Sequence, residues 1–101
     1  MENKIVKKKK KRIGAFIGYA SNDDLDYWLE KLVEYQEKNN IKKIKRYYTA
    51  QYGDIEASRK VITDIFLEDI DTLLVIGNIE YLIPDYGILE KIKQNVEVIM
   101  M

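Results

Sequence analysis

Ile13-Gly-Ala-Phe-Ile-Gly-Tyr-Ala20 and Asp71-Thr-Leu-Leu-Val-Ile-Gly77 decide the fold. Both runs are apolar on successive residues instead of alternating with polar ones. A strand alternates its side chains between the two faces of its sheet, so such runs suit central strands covered on both sides. Each is followed by helix signals. After the first, Ser21-Asn-Asp-Asp24 supplies capping residues, then Leu25, Trp28, Leu29, Leu32 and Val33 recur at helical spacing up to Asn39-Asn40. This predicts a helix with those five residues facing inward and Trp28 in the core. Lys42 to Tyr48 sets Ile44 among charged neighbours and reads as a strand nearer the sheet edge. Gly53-Asp54 opens a second helix with Ile55, Val61, Ile62, Ile65 and Phe66 inward. Pro84 suits the first turn of a third, whose stripe is Ile88, Leu89 and Ile92. Val96 to Met100 is a last strand.

Strands and helices alternating in this way imply a three-layer α/β domain. Its sheet is expected to be parallel and four-stranded, in the order 2-1-3-4, with right-handed crossovers and Phe16, Ile17, Leu74 and Val75 at the centre. A chain of 101 residues with an apolar share of 47% holds one such domain. Its apolar runs are too short to span a bilayer. Cysteine and histidine are both absent. There is therefore no disulfide framework and no thiolate zinc site, and the commonest general base and transition-metal ligand are missing. A cytoplasmic location is the expectation, with no metal, no cofactor and no membrane partner. Heavy use of Ile, Lys, Asn and Tyr hints at an AT-rich bacterial or phage source.

Net charge is zero but unevenly placed. Residues 1–12 carry Lys4, Lys7, Lys8, Lys9, Lys10, Lys11 and Arg12 against Glu2, an excess of six positive charges. Residues 13–101 carry the opposite excess of six. An acidic body is a poor nucleic-acid surface. Nucleic acid is expected to meet the lysine run, if any part of the chain, through counterion release. The plainer expectation is a solvated, disordered tail over residues 1–12 preceding a domain over 13–101.

Sites in parallel sheets lie at the carboxyl ends of the strands, near the reversal in strand order. Here those ends are Tyr19–Asp23, Tyr48–Asp54 and Gly77–Pro84. Three stretches there resemble the catalytic domain of the serine recombinases of the resolvase/invertase family. Phe16-Ile-Gly-Tyr-Ala20 is similar to an opening strand that ends Tyr-Ala-Arg-x-Ser. Tyr47-Tyr-Thr-Ala-Gln-Tyr-Gly53, with Arg59 behind it, resembles the second strand and its Ser-Gly loop. Leu73-Leu-Val-Ile-Gly-Asn-Ile-Glu-Tyr-Leu-Ile-Pro-Asp85 resembles an apolar strand followed by Leu-Asp-Arg-Leu-x-Arg-Asp. The likeness covers roughly residues 13–101.

The resemblance implies a serine that attacks a DNA phosphodiester, with arginines neutralising the charge that builds on the phosphoryl oxygens. The residues depart from that pattern. Glu80 stands at the family's aspartate, Tyr81 at its first arginine and Pro84 at its second, and no arginine follows Tyr19-Ala20. Ser21 takes the nucleophile's place only across a shortened loop; without that gap Asp23 falls there. The leading expectation is a catalytically inactive recombinase-like binding or regulatory module of a mobile element or phage. Its binding residues are Tyr19, Ser21, Arg59, Glu80, Tyr81 and Tyr86, and its partner is a protein, either a second copy or a recombinase-like chain. The chain stops at the fourth strand, before the dimer helix and DNA-binding module that the resemblance implies. One alternative is a strand-exchange enzyme fragment using Ser21. Another is a nucleotide-binding domain, because Phe16-Ile-Gly-Tyr-Ala-Ser-Asn-Asp23 is also similar to the start of Toll/interleukin-receptor domains.

Plainer roles accompany each of these residues. Ser21 suits a helix cap. Asp23, Asp24 and Asp26 suit the helix dipole better than a metal. Arg59 and Lys60 suit an exposed pair better than an anion clamp. Tyr47, Tyr48 and Tyr52 suit strand packing better than base stacking beside Lys42, Lys43, Lys45 and Arg46. An apolar contact surface is expected around Tyr81, Ile83, Tyr86 and the last strand.

Overall fold

The computed structural model describes residues 11–51, 54–77 and 86–101, with backbone only for residues 86–89. Four strands, β1 (Ile13–Gly18), β2 (Arg46–Ala50), β3 (Thr72–Gly77) and β4 (Glu97–Met100), alternate with three helices, α1 (Asn22–Lys38), α2 (Ile55–Phe66) and α3 (Tyr86–Asn95). Every strand pairing is parallel and the order is β2-β1-β3-β4. The fold class expected from the sequence is thus the one observed. Phe16 lies level with Tyr48 on one side and Val75 on the other. It is buried together with Ile17, Leu74 and Val75.

The sheet separates two cores. On one face Ile13, Ala15, Ile17, Leu74 and Ile76 meet Leu32 of α1 and Ile44 of the following connector. On the other Phe16, Tyr48, Leu73 and Val75 meet Val61 of α2 and Ile92 of α3. Among the described residues, one helix therefore covers the first face and two cover the second. Gly14 lies beneath the second layer: a Cβ there would stand 3.0 Å from the Tyr48 ring and 3.1 Å from Ile70. Its missing side chain lets both residues fold over β1.

Several sequence expectations are corrected. The second strand begins at Arg46, not Lys42. Helix α1 ends in a Schellman turn, with Asn40 in the left-handed region (φ 56°) and Ile41 N–H donating to Gln36 O at 2.9 Å. The connector after it drops Ile44 into the α1-side core before pairing with β1 begins. Within α1 only Leu32 is fully buried; Leu25 and Trp28 are partly so, while Leu29 and Val33 are exposed. Among the described residues α1 is the one helix on its face, and no neighbouring described helix covers that flank.

In α2 the inward line runs through Ser58, Val61 and Asp64. At about 100° per residue, Phe66 stands about 140° from Val61 and so leaves the core. Ile55 is exposed for the same reason. This rotation turns Asp64 inward, 7% exposed, where it accepts a hydrogen bond from the Tyr48 hydroxyl at 2.7 Å. Helix α3 begins at Tyr86, so the expected Pro84 first turn, and Ile83 with it, lies outside the described residues.

Candidate functional site

The order β2-β1-β3 places the reversal in strand connection between β1 and β3. At the carboxyl end of that pair Gly18 and Gly77 are register partners. Gly77 adopts φ 87°, and a Cβ on it would lie 2.2 Å from the Gly18 carbonyl oxygen. The two strands run side by side up to this point, where a ligand crevice is expected, and residues 78–85 beyond Gly77 lie outside the described residues.

Ser21 follows at the start of α1, with an extended backbone (φ −150°, ψ 169°). Its Oγ accepts from Asp24 N–H at 3.2 Å, and Asp24 Oδ2 accepts from Ala20 N–H at 2.8 Å. This reciprocal arrangement is close to a capping box. The serine is used as a cap, as one of its sequence readings anticipates. Tyr19 is half-buried, and its N–H donates to Ala50 O at 3.0 Å, carrying the β1–β2 pairing past the strand ends. Gln51 Nε2 adds a long bond of 3.4 Å to Ala20 O.

The second helix terminus at this end is built in the same way. Asp54 caps α2 by accepting from Glu56 N–H at 3.1 Å. Asp23, Asp24, Asp54 and Glu56 thus stand at the positive ends of two helix dipoles, where carboxylates are favourable and an incoming anion meets negative charge. Arg59 and Lys60 are exposed on α2, and no hydrogen bond or ion pair joins Arg59 to Ser21. Among the described residues no three acidic side chains converge on a metal position. Glu80, Tyr81, Tyr52 and Gly53 lie outside the described residues, as do Lys7, Lys8, Lys9 and Lys10; of Tyr86 only the backbone is described.

The last two residues of the expected tail are bound to the body. Lys11 Nζ stands 3.3 Å from Glu97 Oε1. Arg12 N–H donates to Asp71 Oδ1 at 3.1 Å, and its Nε donates to Glu68 O at 3.1 Å. Two members of the basic cluster around Tyr47 and Tyr48 are likewise engaged, while Lys42 and Lys43 are exposed. Arg46 donates to Asp69 at 3.1 Å and lies 3.8 Å from Asp64, while Lys45 lies 3.7 Å from Asp69. Tyr48 is buried, as the packing reading holds, whereas Tyr47 is exposed. Burial raises the Tyr48 hydroxyl above its ordinary range, and its bond to Asp64 adds to this. The bond from Arg46 lowers the Asp69 carboxyl.

Sequence reading missed two features. The first is this polar network. Asp64 inside the apolar spacing of α2 was its only signal. The second is a groove of about 680 Å³ at the amino ends of the strands, between the C-terminal halves of α2 and α3. Ile62, Ile65, Ile70, Ile92 and Val96 line it, and Phe66 stands at its lip, 83% exposed. Leu67 beside it is 66% exposed. On the last strand Met100 is exposed, as is Met101 after it, while Val98 and Ile99 are partly buried. Among the described residues no helix is long and apolar enough to cross a membrane. No family model, no curated protein and no solved structure matches the chain.

Proposed function

We propose that this chain is a recombinase-like domain without recombinase chemistry, working in the cytoplasm as a binding or regulatory module for a protein partner. The serine-recombinase likeness of the sequence supplies the family half of this reading, including its place in a mobile element or phage. The observation that carries the other half is the state of Ser21. Its Oγ is engaged as the cap of α1 at 3.2 Å from Asp24 N, with the Asp24 carboxylate folded back over the same turn. A nucleophile that attacks a phosphodiester needs cationic donors aimed at the phosphoryl oxygens. Ser21 instead sits where carboxylates complement the helix dipole. The same carboxylates oppose a nucleotide phosphate at the α1 N-terminus. Nucleic acid, where it binds at all, is assigned to the lysine run at residues 7–11, and such binding falls steeply with salt.

The test is incubation of the purified protein with supercoiled plasmid, followed by a search for nicked product and for covalent protein–DNA adduct. The expected result is neither, for wild type and Ser21→Ala alike. An adduct formed by wild type and lost in Ser21→Ala would overturn the reading.

A further inference from the structure

The groove at the amino end of the sheet has the properties of one half of a symmetric interface. Its lining includes an apolar strip from Ile62 and Ile65 of α2 to Ile92 of α3, beside polar side chains that include the paired Arg12 and Asp71. Its lip carries an aromatic side chain that nothing covers: Phe66 is 83% exposed, at the last position of α2. Knob and hole thus lie side by side on one surface. A two-fold axis between two copies then places each knob in the other copy's hole, which is the self-complementarity an isologous dimer requires.

The knob is held in place by the end of its helix. Asp69 N–H donates to Asp64 O at 2.8 Å and Glu68 N–H to Ile65 O at 3.0 Å, the two bonds of a Schellman turn. Glu68 takes the left-handed position of that turn, with φ 59°. Arg46 then ties Asp64 to Asp69 across it. Phe66 and Leu67 are therefore presented by a fixed turn.

Charge selects the occupant. Glu68 stands on the α2 wall of the groove and Lys91 on the α3 wall. Both are exposed, and neither side chain has an ion-pair partner among the described residues. An axis that exchanges α2 of one copy with α3 of the other brings each Glu68 to the other copy's Lys91. A uniformly acidic or basic partner would satisfy only one of the two walls. We infer that a second copy of this chain docks here, with Phe66 inserted reciprocally and Glu68 paired across the interface with Lys91.

This inference rests on the reading of the domain as a protein-binding module and names the partner as the chain itself. It is tested on the full chain by sedimentation equilibrium over a concentration series. A contact of this small kind predicts a monomer–dimer equilibrium with a Kd on the order of 10–100 µM. Phe66→Asp, at a side chain already in water, leaves the circular dichroism spectrum unchanged and weakens association by about tenfold or more. Glu68→Lys and Lys91→Glu each weaken it by about threefold, and the double exchange restores it. A monomer at every concentration overturns the inference. So does a dimer indifferent to Phe66→Asp, or one in which the double exchange fails to rescue the single ones. The plasmid experiment separates the two proposals. A monomer that forms no DNA adduct removes the dimer and leaves the non-catalytic reading standing, whereas an adduct-forming dimer does the reverse.

Discussion

At the carboxyl end of the sheet Ser21, Asp24 and Asp54 are turned on the backbone of their own helix ends; at the amino end apolar side chains are left facing water. The first end is where parallel sheets usually hold their ligands. Here Gly18 and Gly77 meet backbone to backbone, and Ser21, Asp24 and Asp54 satisfy helix termini. The second end is commonly closed structure, yet it carries the groove and Phe66. The contrast teaches that a scaffold's customary site is a statement about strand order, while a usable site depends on which groups remain unsatisfied. Capped helix ends have little left to offer an anion, whereas an uncovered aromatic beside a partly apolar groove still has surface to bury.

The largest effect should come from the carboxyl end. Gly77→Ala places a Cβ against the Gly18 carbonyl and a side chain at φ 87°. It is expected to cost about 3 kcal/mol in urea unfolding, because neither backbone can move without breaking the β1–β3 ladder. A cost under about 1 kcal/mol would mean that the backbone at Gly77 relaxes to accept a side chain.

Next comes the buried hydrogen bond that joins α2 to β2. Tyr48→Phe removes the donor to buried Asp64 and should cost about 2 kcal/mol. The hydroxyl also links stability to alkaline pH. Its folded value lies above the unfolded 10.0, mainly through burial. The stabilisation it gives is therefore complete below pH 10 and is lost as pH climbs beyond it. Unfolding measured as a function of pH should show an alkaline decline in wild type that is shallower in Tyr48→Phe. Asp69, lowered by Arg46, acts in the opposite range: its contribution is present above its ordinary value of 3.8 and is lost as pH falls beneath it.

Two smaller effects compare the helix ends. Ser21→Ala should cost about 1 kcal/mol, the loss of a cap, with no accompanying loss of a chemical activity. Glu68→Gly should stabilise the fold by about 0.5–1 kcal/mol, since glycine enters the left-handed region without the penalty that glutamate carries there. Asn40 occupies the equivalent position after α1, and asparagine tolerates that conformation better, so Asn40→Gly should gain less. Thermal denaturation of the three variants beside wild type checks this order.

How much of this is legible in the sequence varies with the physics behind each element. The two central strands can be read outright, because residues buried on both faces leave an uninterrupted apolar run, and the strand order follows from them. The cap at Ser21 is equally open to reading, since capping is local. The inward faces of α1 and α2 are not. Leu29, Val33, Ile55 and Phe66 satisfy helical spacing yet lie exposed, because spacing fixes a stripe and tertiary contacts choose its edge. The buried stripe of α2 includes Asp64, and no periodicity count anticipates a carboxylate turned inward toward a tyrosine on another element. The start of β2 is misplaced by sequence reading for a related reason: Ile44 is buried by the connector, not by the sheet. The groove is less legible still, being made by three segments distant in sequence. Tyr81 and Ile83, expected from the sequence to form a contact surface, lie outside the described residues.

Both ends of the sheet can be followed at once by recording backbone amide NMR shifts, first over a concentration series and then during titration with short duplex DNA. The account predicts that concentration moves the amides of Phe66, Leu67, Glu68 and Lys91 through Val96. It also predicts that DNA leaves Ala20 through Asp24 and Gln51 where they are. DNA-dependent shifts centred on Ala20 through Asp24, with the amino-end amides indifferent to concentration, would contradict it.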